Sequence, residues 1–162
     1  MQACRVMPPA DPSGAPARHA GIPSRTVPLL YFALAHGALI ITFLAAVSRA
    51  EEVSGFFYQP RVVALVHLVT LGWITASILG SLYVIAPMAL KTPLPGRRLG
   101  VVIWMLFAVG VSGMASHFWI NSYGGVGWSA LLALPAAMHV GTRVERGMRA
   151  ASLQKAVKAC FS

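Results

Sequence analysis

Charge is what this sequence has least of. Lysine, arginine, aspartate and glutamate make up 10% of its 162 residues, 13 of them basic and 4 acidic. Soluble domains run at about 25% charged residues, so this set cannot coat a water-soluble globule of the same length. A hydrophobic share of 57% equally excludes a disordered or nucleic-acid-binding tail protein. Acidic residues are missing from every long apolar run, which leaves no paired carboxylates for hydrolytic chemistry, and no phosphate-binding loop occurs. Cysteine is also scarce. Cys4 and Cys160 lie near opposite ends, too few and too far apart for a metal cluster or a disulfide framework, and read as unrelated thiols on the reducing side of a membrane.

What is present is long uncharged stretches. Residues 1–27 come first, a tail rich in Pro, Ala, Ser, Gly and Arg without apolar periodicity, expected to be disordered and cytoplasmic; His19 falls in it. An uncharged run follows over 26–48. A second, between Arg61 and Lys91, has 29 residues, and a third, between Arg98 and Arg143, has 44. A bilayer core of about 30 Å takes about 20 helical residues. The first two runs supply one span each. The third supplies two, broken at the polar turn Asn121-Ser122-Tyr123-Gly124-Gly125. The expected fold is an all-α membrane protein, an up-down bundle of four transmembrane helices near 29–48, 62–88, 99–120 and 125–142. These make a domain over 28–142, and Pro135 kinks the last helix. A basic segment over 143–162 follows, with Leu153, Val157, Cys160 and Phe161 at helical spacing among Lys155 and Lys158. It reads as a cytoplasmic amphipathic helix on the membrane surface or as the lead into a further span.

The net charge of +9 becomes an orientation signal once mapped. Arg5, Arg18, Arg25, Lys91, Arg97, Arg98, Arg143, Arg146, Arg149, Lys155 and Lys158 fall on one face, eleven of the 13 basic residues. The positive-inside rule assigns that face, and both termini, to the cytoplasm. Phe56, Phe57, Tyr58, Trp119, Tyr123 and Trp128 gather at the opposite interface as an aromatic belt. The expected setting is multi-pass in a bacterial inner (cytoplasmic) membrane. The partners are then the lipid bilayer and other membrane subunits or further copies of the chain, and not nucleic acid.

Each expected span holds one histidine: His36, His67, His117 and His139. Ionisable residues inside spans are costly and mark candidate sites. At 1.5 Å per residue His67 lies roughly 9 Å, and His117 roughly 6 Å, below the outer face, with His36 and His139 in the inner leaflet. Two pairs, one per leaflet, suit axial ligation of b-type haem. The other use of such histidines is hydrogen bonding between helices. Gly72, Ala76 and Gly80 form a small-residue stripe. It serves either close helix packing or the approach of a macrocycle. On an α-helix His67 projects about 140° from Gly72.

The segment RVVALVHLVTLGWITASILGSLYVIAPMAL, residues 61–90, resembles helix 2 of the haem–copper oxidase (cytochrome c oxidase) subunit I superfamily, and most of all its short, divergent subunit-I-like relatives. The matching residues are His67, Thr70, Leu71, Gly72, Trp73, Gly80, Leu82, Tyr83 and Pro87. The resemblance is sharp over these 30 residues and loose elsewhere. It implies that His67 is an axial ligand of a low-spin haem, here haem b, near the outer face; the family's second haem ligand lies in a later helix, so the second ligand here would come from His117 or a partner subunit, and Gly72 is a candidate to lie beside the cofactor. His36 and His139 are a further candidate pair. The family's copper histidines lie in later helices, and no His-His or His-x-His occurs here, so copper is not expected and oxygen reduction by this chain alone is not either. The expected function is a haem-binding membrane protein of electron transfer in a respiratory chain, in the manner of a truncated subunit I. The alternatives are a two-haem cytochrome b-like bundle and a haem-free structural or assembly subunit.

Overall fold

The computed structural model describes residues 25–55, 58–90 and 96–161, with the backbone alone at Leu90, Ala151 and residues 154–161. Residues 1–24 of the expected tail, Phe56, Phe57 and the side chains of Cys4, Lys91 and Cys160 lie outside the described residues, whereas Thr26 and Val27, expected in the tail, open α1 with Val27 buried. Every described element is helical. Helix α1 covers Thr26–Ser48 and the short α2 Ala50–Val53. The second long rod runs unbroken through α3 (Pro60–His67), a π-helical segment (Leu68–Thr75) and α4 (Ala76–Leu90). Helix α5 covers Arg97–Trp119, and α6 covers Val126–Phe161 after a single 3₁₀ turn at Tyr123–Gly125.

Three of these rods are long and apolar enough to cross a membrane: Thr26–Ser48, Pro60–Ala89 and Arg97–Trp119, each with a mean hydropathy of 2.0 to 2.1. Helix α6 is different. It continues for 36 residues, straight through the boundary expected at residue 142, so the apolar stretch and the basic segment share one helix. Pro135 sits inside it, with its ring at an exposed position.

The distribution of side-chain size explains why the rods associate in a bilayer. Large aliphatic residues point outward: Leu44 and Val47 of α1, Ile78 and Met88 of α4, and Val109 of α5 are all exposed. Alanines fill the interior, among them Ala35, Ala38, Ala64, Ala76, Ala115 and Ala136. Water would favour the reverse. Lipid tails are as apolar as leucine, so helices gain only by approaching closely over small residues. The glycines do this. A Cβ on Gly72 would stand 2.7 Å from the Ala38 Cβ of α1, and one on Gly110 would stand 2.6 Å from the backbone nitrogen of Ala133 in α6. The stripe of helix 2 therefore closes against α1, with Gly80 against Tyr31.

Larger rings fill what the glycines leave. Tyr31 of α1, fully buried, stacks on Tyr83 of α4 with ring centroids 5.7 Å apart, and Phe107 of α5 lies 5.9 Å from Tyr31. At the other end the chain reverses at Asn121, whose φ of 56° is left-handed. Asparagine tolerates that conformation better than most residues. The amides of Asn121 and Ser122 then bond the carbonyls of Phe118 and His117, which ends α5 and launches α6. The polar turn expected from the sequence is the turn observed.

The π-helical segment corrects the α-helical reading of helix 2. Its bonds run five residues back rather than four. The Ala76 amide bonds the Leu71 carbonyl, and the Thr75 hydroxyl donates to the Thr70 carbonyl at 2.8 Å. With one more residue per turn, positions five apart come closer to one face. The angle between His67 and Gly72 is therefore well below the 140° of α-helical spacing.

Candidate histidine site

His67 closes α3, where the π-helical segment begins. Its Nδ1–H donates to the Val63 carbonyl at 2.8 Å, which fixes the tautomer and leaves Nε2 with the free lone pair. Ligating histidines are commonly held in this way. The half-buried ring lies against Phe118 of α5, centroids 4.7 Å apart, and Phe118 in turn meets the edge of Tyr123 at 5.9 Å. Helix α3 packs on α5 but not on α6, so His67 sits at the edge of the bundle rather than at a four-helix centre.

His117 precedes Phe118 and therefore points elsewhere. Its ring packs on Gly125, in the 3₁₀ turn before α6, so tightly that a Cβ there would overlap Nε2. Its Nδ1 is buried without a hydrogen-bond partner. The structure thus places His67 on the α3–α5 seam and His117 between α5 and the α6 turn.

The other pair is also separate. His36 is exposed on α1, its Nδ1–H bonded to the Phe32 carbonyl at 2.8 Å. His139 has its Nε2 buried in α6 without a partner. Helices α1 and α6 do not pack against each other. Among the described residues no group of three or more His, Cys, Asp or Glu gathers as a metal site.

Haem b needs an axial nitrogen with a free lone pair and a flat apolar gap beside it. His67 meets the first requirement. Gly72 does not supply the second, because Ala38 already occupies the space a macrocycle would take. His117 has no hydrogen bond to fix its tautomer, and the Nε2 edge of its ring packs on Gly125. His67 thus fits the part of an axial ligand, while the His117 ring packs on Gly125 rather than on the α3–α5 seam.

A second cluster lies beside the site at the same end of the bundle. Glu52 of α2 accepts from Arg49 at 3.0 Å and from Arg61 of α3 through both carboxylate oxygens. The side-chain hydrogen bond from Arg61, with that from Arg49, holds the Glu52 carboxyl below the usual carboxylate range. Arg61 also lies 5.8 Å over the Trp119 ring of α5. This clip ties the loop after α1 to the starts and ends of two other rods. The i,i+3 spacing of Arg49 and Glu52 was a visible signal, but the reach of Arg61 across nine residues was not.

Farther along, Tyr31, Tyr83 and Trp104 bury a hydroxyl or an indole N–H without partners. No protein family, curated protein or solved structure matches the chain.

Proposed function

We propose that the chain is a small multi-pass membrane subunit that works beside another membrane protein of electron transfer. In this reading it contributes one axial ligand, His67, to a haem b shared with that partner. The carrying observation is the His67 ring itself, pinned through Nδ1 to Val63 with Nε2 left over, at the edge of the bundle where a neighbour can reach it. A haem held there supplies one-electron transfer. The chain's own residues orient the imidazole, through Val63, and wall one side of it with the Phe118 ring. The reading includes α6 as a fourth span entered from the outer face, both termini in the cytoplasm, and a bacterial inner membrane as the setting. The eleven cations on one face support that orientation.

The test is a reduced-minus-oxidised spectrum of the protein isolated with its partner from mild detergent, beside one of the chain alone. The expected result is a b-type α band in the complex, lost in His67→Ala and absent from the chain alone. A band in the complex that survives His67→Ala would refute the ligand assignment.

A haem-free structural or assembly subunit is the second reading, favoured by the closed glycine seams. Gly72, Gly80, Gly100 and Gly110 all meet a neighbouring helix at 3.2 Å or less from a built Cβ, so the interior works as packing surface throughout. Recovery of a complex that carries no haem attributable to this chain would select it.

A further inference from the structure

The acidic residues of the chain are Asp11, Glu51, Glu52 and Glu145. Glu51 and Glu52 stand at the Arg61 end, where Arg49 and Arg61 balance them. Glu145 is bonded to Arg149. Asp11 is therefore the one carboxylate of the chain left over for the opposite end of the bundle. That end carries Arg25 before α1, Arg97 and Arg98 at the start of α5, and Arg143 and Arg146 in α6. Among the described residues none of these five forms an ion pair. At least four positive charges there have no counter-charge within the chain.

Packing brings these arginines to one level. After the reversal at Asn121, α6 runs antiparallel to α5, with Gly110 against Ser129 and Ala133. Thirteen residues back from Gly110 is Arg97, and thirteen on from Ser129 and Ala133 are Thr142 and Arg146, the stretch that holds Arg143. The start of α1 joins them, because Val27 lies 2.9 Å from a Cβ built on Gly100. Arg97 precedes Gly100, Val101 and Trp104 by three, four and seven residues, which puts it on the face of α5 turned to the core. Arg143 follows Val140 and Ala136 by three and seven, and both of those are fully buried. Two inward faces thus end in guanidinium groups. Arg143 is half-buried, whereas Arg97, Arg98 and Arg146 are exposed.

The start of α5 adds a second demand for an anion. Its first turn has no acidic residue and Gly96 offers no capping side chain, so two arginines sit on the positive end of the helix dipole. A negative group bound there would meet both the arginine forks, which match phosphate oxygens, and the free amides of the first turn. The level selects the kind of anion. Arg97 opens the apolar rod Arg97–Trp119, long enough to cross a membrane, so these cations stand where that rod reaches the lipid headgroups. Basic sites between helices at that level suit anionic headgroups.

We infer that this end of the α5–α6 seam binds the headgroup phosphate of an anionic phospholipid, held between Arg97 and Arg98 of α5 and Arg143 of α6. Its acyl chains run past Trp104, which lies seven residues, roughly 10 Å, deeper than Arg97. The lipid supplies the counter-charge that lets α5 and α6 carry their arginines side by side. The inference rests on α5 as a span and is independent of any haem at His67.

The test uses the full chain in phosphatidylcholine vesicles carrying a minor fraction of acyl-brominated phosphatidylglycerol, or the same fraction of brominated phosphatidylcholine. The signal is the part of the tryptophan quenching that Trp104→Phe removes. Brominated phosphatidylglycerol should quench Trp104 more effectively, and the preference should fall about fivefold for each guanidinium removed, the share of one cation near a membrane surface. Arg143→Gln reads this on α6. The double variant Arg97→Gln, Arg98→Gln, at exposed positions, reads it on α5 if the half-buried Arg143 proves necessary for helicity. Arg49→Gln, at the other end, should leave the preference unchanged. Excess inorganic phosphate at constant ionic strength should also leave it unchanged; its loss there would make soluble phosphate the ligand and overturn the lipid assignment. Equal quenching by both lipids in the natural protein would overturn the inference, as would a preference that persists in the α5 double variant or falls equally in Arg49→Gln.

Discussion

Replacing Gly110 by alanine isolates the close contact between α5 and α6. The added Cβ would stand 2.6 Å from both the Ala133 nitrogen and the Ser129 carbonyl oxygen, and 3.0 Å from the Ala133 Cβ. Two of those neighbours are backbone, so no rotamer change can relieve the overlap and the helices must separate. Overpacking of this kind costs about 1–3 kcal/mol. Alanine also gains about 1 kcal/mol over glycine in any helix, which would mask part of the loss. Gly37→Ala provides the correction. Gly37 lies in α1 with nothing within 4 Å of a built Cβ, so that variant reports propensity alone. The difference between the two variants should therefore recover the full 1–3 kcal/mol or so, with Gly110→Ala the less stable. Reversible unfolding in mixed micelles, followed by circular dichroism, measures it. Equal shifts in the two variants would mean that α5 and α6 are not in backbone contact at this point.

Three other perturbations have defined outcomes. Tyr31→Phe and Tyr83→Phe delete buried hydroxyls that have no partner, so they should leave thermal stability unchanged or raise it; a loss of about 1 kcal/mol or more would reveal a hidden partner. The Glu52 carboxyl is held low by Arg61 and Arg49, so its contribution is fully present above the ordinary carboxylate range and is lost as pH falls through its lowered folded value. Trp119 emission, which senses Arg61, should shift over that acidic window and stay flat in Glu52→Gln; identical titrations of the two proteins would contradict the clip. In a Cys4→Ser, Cys160→Ser background, Gly124→Cys and Ser152→Cys should label from opposite sides of sealed vesicles if α6 crosses the membrane, and labelling of both from one side would remove the fourth span.

The parts of the fold visible in the sequence were those written in runs of one chemistry. The spacing of charged residues located α1, helix 2 and α5 to within about two residues at most ends, because an uncharged helix and a bilayer share one length scale. The reversal at Asn121 was visible through its residue types. Two features were not. The unbroken course of α6 hides because its polarity changes halfway, at Arg143, while its helix propensity does not. The π-helical segment hides because Leu68–Thr75 reads as ordinary apolar helix; the wider turn is a matter of backbone bonding. At the candidate site, residue identity was informative and orientation was not. All four histidines were evident, but their pairing by depth ignored which way each helix faces. That is why His67 and His117, close in level, lie against different elements, and why His36 and His139 lie on helices that do not touch.

The π-helical segment also bears on how this chain can change length. A wide turn holds one residue more than an α-turn over nearly the same rise, so a rod containing one carries slack. Loss of a single residue within 68–75 could be absorbed by tightening to α-geometry, leaving Ala64 and Leu65 on one side of it and Ala76 and Tyr83 on the other still facing their neighbours. In a straight α-helix the same deletion would swing one half by 100° or so against the other. A one-residue deletion at this point of a membrane-spanning helix is therefore expected to keep the packing on both sides of it.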